Sequence, residues 1–194
     1  MKKVSLNKAA ELINHAKVGV IPTDTVYGLC ARASDVQAVK KMYDLKAREN
    51  KPGTLIATDI NQLVELGIKR RYLTPVEHYW PGAISIIIPT GFTLDHLHLG
   101  KMSLAIRIPE SHKLQNLLKQ TGPLITTSAN MSGEPPAKII DQAQKYFGDK
   151  VDFYVDGGKV DGRSSTIIQV IDDAVTVIRE GAVKIDEETG RILN

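Results

Sequence analysis

The stretch Val18-Gly19-Val20-Ile21-Pro22-Thr23-Asp24-Thr25 decides the architecture, because it carries an apolar strand straight into a turn made of small polar residues. Upstream, Ser5 is placed to cap a helix in which Leu6, Ala9, Leu12, Ile13 and Ala16 recur on one face, so a helix gives way to a strand at Gly19. Downstream the alternation repeats. Asp35 can open a second helix bearing Val36, Val39, Met42 and Tyr43, followed by a strand candidate over 54–57. Further strand candidates lie at 83–88, 103–108, 124–127, 152–155, 166–170 and 175–178, with helical periodicity near 112–120 and 139–146. Strands and helices interleaved in this way imply an α/β fold around a mixed sheet. Ligands of open α/β sheets collect beyond strand ends, where hydroxyls and free amides converge. Two turns are therefore site candidates: Pro22-Thr23-Asp24-Thr25 and Thr126-Thr127-Ser128-Ala129-Asn130.

A length of 194 residues fits one domain over 1–194, and no repeat, low-complexity tract or linker marks a boundary. Apolar residues at 42% and charged residues at 24% describe an ordinary globular chain. The lone Cys30 excludes an internal disulfide framework and a four-thiolate zinc site, and it suits a reducing, cytoplasmic setting. Lys2-Lys3 runs directly into an amphipathic segment rather than a signal peptide, and no stretch approaches the ~20 apolar residues that span a bilayer. No membrane association is expected. The formal charge of +3 is too mild to predict a polyanion partner by itself. Lys40, Lys41, Lys46, Arg48 and Lys51 nevertheless crowd against only Asp44 and Glu49, and Lys69-Arg70-Arg71 forms a second cluster. Either a solvated helix face or a ligand surface would account for them.

Several familiar chemistries can be set aside. Gly157-Gly158-Lys159-Val160-Asp161-Gly162-Arg163-Ser164 comes near a phosphate-binding P-loop, but Arg163 stands where lysine is needed and a β-rich run follows where a helix is needed. His96 and His98 could share a strand face, yet two ligands fall short of a protein metal site, and no metal ligands are assigned. Ser128 and Cys30 lack the surroundings of a nucleophile. What remains is a supply of loop hydroxyls and cations: Thr23, Thr25, Tyr27, Lys46, Arg48, Lys51, Arg107, Ser128, Asn130, Ser132, Ser165 and Arg179. Singly, each is a surface charge, cap or turn former; together they suit a ligand bearing phosphates and a carboxylate.

At this level of detail the chain resembles the YrdC-like family. Pro22-Thr23-Asp24-Thr25-Val26-Tyr27-Gly28-Leu29 is similar to its P-T-[DE]-T-x-[YF]-G-L signature, and Lys46-Ala47-Arg48 with Lys51-Pro52 to its K-x-R and K-P elements. Trp80-Pro81-Gly82, Arg107-Ile108-Pro109, Ser128-Ala129-Asn130-Met131-Ser132-Gly133, Ser165-Thr166 and Arg179-Glu180-Gly181 continue the match in order across residues 4–184. The resemblance implies the short, single-domain form of the family: a twisted open mixed sheet with flanking helices and a basic concave face.

It also implies an activity, the joining of L-threonine, bicarbonate and ATP into threonylcarbamoyl-AMP and pyrophosphate. Partner threonylcarbamoyl transferase proteins would then pass the group to tRNA. Carried over residue by residue, the resemblance makes Lys46, Arg48 and Lys51 the catalytic cations around the triphosphate. Arg48, Lys51, Ser103, Asn130 and Arg179 would hold ATP. Thr25, Arg107, Ser128 and Ser165 would hold threonine, with Arg107 on its carboxylate and Thr23 and Tyr27 lining the same turn. Magnesium should accompany ATP, held largely by phosphates and water. The competing expectation is a non-catalytic module binding tRNA or double-stranded RNA through phosphate contacts, although aromatic residues make up only 5% of the chain.

Overall fold

The computed structural model describes residues 2–46 and 51–193. Ten strands form one sheet: β1 (Lys3–Val4), β2 (Gly19–Pro22), β3 (Tyr27–Arg32), β4 (Thr54–Ile56), β5 (Ile84–Pro89), β6 (Ser103–Arg107), β7 (Leu124–Ser128), β8 (Phe153–Val155), β9 (Thr166–Ile171) and β10 (Ala174–Arg179). A separate small pair is made by β11 (Lys184–Ile185) and β12 (Ile192–Leu193). The α-helices are α1 (Leu6–Asn14), α2 (Val36–Lys46), α3 (Ile60–Glu65), α4 (Arg70–Leu73), α5 (Asp95–His98), α6 (His112–Thr121) and α7 (Ile140–Phe147). Spatial order in the sheet is β1-β8-β2-β3-β7-β4-β6-β5-β9-β10. The pairs β1/β8, β2/β8, β4/β6 and β5/β9 are parallel and the others antiparallel, so the sheet is mixed as expected.

Local chemistry starts the helices where the sequence suggests. The Ser5 hydroxyl accepts from the Lys8 amide at 3.3 Å, and the Asp35 carboxylate accepts from the Ala38 amide at 2.8 Å. Besides the two-residue strands β1, β11 and β12, the unforeseen strand is β3, whose Gly28, Cys30 and Ala31 dilute the β-branched signal that marks a strand. His96 and His98 lie on the short helix α5 rather than on a strand, and their Nε2 atoms face the carbonyls of Ala33 (2.9 Å) and Gly91 (3.2 Å).

The two faces of the sheet are covered unequally. On one, Val20, Leu29, Leu55, Ile86, Ile106, Ile125 and Ile168 pack under α2, α3, α4, α5 and α7 through Val39, Met42, Leu63, Leu73, Leu97 and Phe147. On the other, α1 and α6 press Ala9, Ile13, Leu114, Leu117 and Leu118 onto Ile21, Cys30, Ile56, Leu124 and Phe153. Each fully buried aliphatic side chain contributes roughly 1.5–3 kcal/mol. Registers Gly28↔Ser128, Thr54↔Thr126 and Thr54↔Ala105 place small and hydroxyl-bearing residues on this second face, beyond the reach of those two helices. A cleft is left there.

The basic residues separate. Lys40 pairs with Asp44 and Lys41 with Asp152, each at 2.7 Å on the outside of α2, while Arg70 and Arg71 turn to Asn61 and the Tyr72 ring. These belong to solvated helix faces, where ion pairs are worth ~0–1 kcal/mol. Among the described basic residues of the two clusters only Lys46, the last residue of α2, turns inward, at 3% exposure. Among the described residues no helix is long and apolar enough to cross a membrane.

Cys30 lies under α1 and α6 with no exposure, and burial pushes its thiol up to about 12 against a smaller opposing effect of the Gly19 amide. Thiolate is the reactive form. We expect the native protein to resist an aromatic disulfide reagent at pH 8 and to react with one equivalent only as it unfolds, followed by absorbance across a denaturant series; prompt labelling of folded protein would contradict this placement.

Candidate active site

The turn between β2 and β3 is built by Thr23. Its hydroxyl donates to the Val26 carbonyl at 2.6 Å and accepts from the amides of Thr25 and Val26, both at 3.2 Å. Because that proton is committed to Val26, the 3.0 Å contact between the Thr23 and Thr25 hydroxyls is donated by Thr25. Thr25 is thereby fixed at 5% exposure. The turn lies against the 157–165 loop so closely that a Cβ on Gly162 would drive into the Thr25 carbonyl. From its tip Asp24 reaches across to β6, and both of its carboxylate oxygens lie 2.6 Å from Arg107 Nη1.

Arg107 is 3% exposed, and its Nε is buried without a hydrogen-bond partner. On the neighbouring strands the Ser85 and Ser165 hydroxyls meet at 2.8 Å, and Arg179 Nη2 donates to the Ser165 carbonyl at 2.6 Å. Gly181 makes that approach feasible, since a Cβ there would overlap the Ser164 carbonyl and the backbone of Ser165 and Thr166. This gives a physical reason for a glycine two residues after Arg179.

The far side of the site is held by Lys46. Its ammonium donates to the carbonyls of Ser128 (2.7 Å) and Asn130 (2.6 Å) and to Asn130 Oδ1. The Ser128 hydroxyl donates to the same amide oxygen at 2.6 Å, and Asn130 Nδ2 donates to the Glu134 carbonyl. Such a network makes Asn130 a bracket for the loop after β7 and leaves Lys46 fully hydrogen-bonded although buried.

Together these elements enclose two adjoining hollows. The smaller, of about 120 Å³, is lined by Thr23, Thr25, Thr54, Arg107, Thr126, Ser128, Ser165 and Arg179 among others. The larger, of about 750 Å³, is bounded by Pro135, Pro136, Val160, Arg163, Val177, Glu180, Val183 and Ile185, with Leu193 of β12 on its wall. Val26, Ser164 and Arg179 belong to both.

Of the residues singled out in the sequence, Thr23, Thr25, Arg107, Ser128, Ser165 and Arg179 meet in the small cleft, with Lys46 and Asn130 behind Ser128. Lys51 is exposed beside Pro52 and Gly53, which line it. Arg48 lies outside the described residues. Ser103 does not join them: at the start of β6 its hydroxyl turns to the Lys101 carbonyl at 3.4 Å, and it lines neither hollow. Tyr27 does not join them either. Strand alternation sends it with Leu29 and Ala31 into the opposite core, where its phenol donates to the Gly158 carbonyl (2.7 Å) and accepts from the Gly157 amide (2.9 Å). Sequence reasoning missed Asp24, although it stands between two chosen threonines. Its signal was charge, as the single carboxylate in a turn otherwise chosen for hydroxyls.

Tyr27 therefore tethers the 157–165 loop from beneath. Tyr27→Phe should lower stability by about 1–3 kcal/mol, the range for an orphaned buried group, while leaving threonine affinity nearly unchanged. Denaturant midpoint and calorimetric titration together check this, and loss of threonine binding without loss of stability would reverse the assignment.

Comparison with known proteins agrees with the geometry. Residues 11–181 match the Sua5/YciO/YrdC family model, described as telomere recombination. A Coxiella burnetii threonylcarbamoyl-AMP synthase is 35% identical over 159 residues, covering 79% of this chain and 85% of its own. A Bacillus subtilis threonylcarbamoyl-AMP synthase is 32% identical over 183 residues, covering 91% of this chain and 53% of its own. The structure of P. abyssi Sua5 complexed with L-threonine superposes with a TM-score of 0.81 at 28% identity, covering 92% of this chain and 54% of that one. This chain thus spans about half the length of the B. subtilis and P. abyssi proteins. With a family model matched over most of the sequence and the same twisted mixed sheet in the solved relative, the chain belongs to the Sua5/YciO/YrdC family.

Proposed function

We propose that this chain is an L-threonylcarbamoyladenylate synthase, which forms threonylcarbamoyl-AMP and pyrophosphate from L-threonine, bicarbonate and ATP. The observation that carries the reading is the pair of joined hollows. One has room for about four waters at ~30 Å³ each, the scale of a small amino acid, and has a buried arginine in its wall. The other, at about 750 Å³, falls within the ~300–1,000 Å³ of ordinary cofactor sites. Arg179 borders both, where an amino-acid carbamate and an α-phosphate would have to meet.

In this reading Arg107 takes the threonine carboxylate, and the hydroxyls of Thr25, Ser128 and Ser165 orient the rest of the molecule. The ammonium first gives up a proton, the free amine then attacks the bicarbonate carbon and water is expelled to leave the carbamate, and a carbamate oxygen attacks the α-phosphorus while the bond to the departing pyrophosphate breaks. Neither step requires a protein nucleophile. Register between reactants and cations near the phosphates would supply the rate enhancement, with Arg179, Lys51 and Arg48 as the cations and Lys46 and Asn130 bracing the loop beside them. Among the described residues no three His, Cys, Asp or Glu side chains converge, so magnesium would be carried by phosphate oxygens and water.

Proteins that transfer the threonylcarbamoyl group to tRNA, in the cytoplasm, would be the natural consumers. A non-catalytic RNA-binding module would need neither an amino-acid-sized cleft nor a buried arginine beside it.

Purified protein supplied with ATP, bicarbonate and magnesium should release pyrophosphate only when L-threonine is added, and mass spectrometry with labelled bicarbonate should find the label in the adenylate. Threonine-independent release would defeat the reading. Arg107→Ala should weaken threonine about tenfold to a hundredfold, the worth of a charged hydrogen bond, whereas Arg48→Ala should chiefly weaken ATP. Chelating magnesium should stop pyrophosphate release, and added magnesium should restore it; turnover undiminished by chelator would remove the ion from the scheme.

A further inference from the structure

The small cleft has an uneven charge balance. Among its described lining residues the ionised side chains are Arg107 and Arg179, and no carboxylate is among them. Arg179 is shared with the larger hollow and bonds to the Ser165 carbonyl, so the cation proper to the small cleft is Arg107. Its charge is already matched by Asp24, whose side chain is only 15% exposed and whose two oxygens both reach Nη1. Nη2 donates to no described protein group and remains for a ligand.

We propose that Asp24 is the residue that makes this cleft select a zwitterionic amino acid over a singly charged carboxylate. The proposal rests on the reading of the cleft as an amino-acid site and adds to it the source of discrimination. A monoanion bound at Arg107 lies beside the Asp24 carboxylate, which offsets much of that arginine's attraction, and the other cation on the cleft wall, Arg179, is shared with the larger hollow. An α-amino acid brings its own ammonium one carbon from the carboxylate, so the three charges at Arg107 and Asp24 become four that cancel. Around an arginine exposed to only 3% such a balance weighs more than on a surface. Asp24 is thus a specificity-determining residue acting through the field at Arg107, whether or not its oxygens touch the ammonium.

The test is calorimetric titration of the full chain with L-threonine and with the matching 2,3-dihydroxybutanoate, in which a hydroxyl replaces the ammonium. The wild type should favour threonine by about tenfold or more, equivalent to about 1.4 kcal/mol. In Asp24→Asn that preference should collapse or invert, the acid gaining as the amino acid loses, while Asp24→Glu should retain it. Asp24→Ser serves as a second uncharged variant if the asparagine protein does not fold. Thermal midpoints are recorded alongside: a less stable uncharged variant with an undiminished preference would make Asp24 purely structural and overturn the proposal. Equal binding of both ligands by the wild type would also overturn it, leaving the amino-acid site intact. No threonine binding by the wild type would overturn that site and the proposal together.

Discussion

Two cations, Lys46 and Arg107, lie at 3% exposure each, and the loops around the cleft take their positions from the need to satisfy them. A charge removed from water to that extent is tolerable only when its hydrogens find acceptors. Lys46 finds them in the carbonyls of Ser128 and Asn130, and Arg107 finds a counter-charge for Nη1 at the tip of the turn between β2 and β3. The ammonium at the end of a helix on one side of the sheet thereby fixes Ser128 and Asn130, and the guanidinium on β6 fixes the turn holding Thr23 and Thr25. Moving either cation would release a loop, so the same groups that suit anionic ligands also set the cleft's shape.

The sheet explains why the cleft lies where it does. Five helices cover one face, and the apolar residues beneath them alternate strictly with what points the other way. The other face has α1 and α6 over its β8-to-β4 portion, with Ile21, Ile56, Leu124 and Phe153 beneath. Past that cover the same alternation delivers Thr54, Ala105, Arg107, Thr126 and Ser128. Side chains there are short enough to leave volume and polar enough to face water or a ligand, which is what an uncovered sheet face requires.

Periodicity made most of this legible in advance. The capped starts at Ser5 and Asp35 and the apolar runs at β5, β6, β7 and β9 were readable because each combines a pattern with a boundary signal. β3 was not, since its interior is small residues whose strand character comes from lying between β2 and β7. The two candidate turns could be chosen by position at strand ends, and the structure joins them. The face on which Tyr27 falls depends on β3, which carries little strand signal, so its motif neighbours point to the cleft while its phenol lies beneath it. Asp24 and Arg107 are 83 residues apart, and nothing local in either segment announces the pair.

The family motifs acquire separate physical meanings once they are seen in place. In Arg179-Glu180-Gly181 the glycine lets the chain after β10 press against the backbone of 164–166, an approach that brings the guanidinium to Ser165. In Pro22-Thr23-Asp24-Thr25 the first threonine is used up in shaping the turn, which frees the second to present its remaining oxygen lone pairs and the aspartate to reach β6. Ser128 and Asn130 share one amide oxygen as their meeting point with Lys46. Each motif therefore mixes residues that build the site with residues that face it, and a substitution within any one of them should be judged by which of those two tasks its side chain performs.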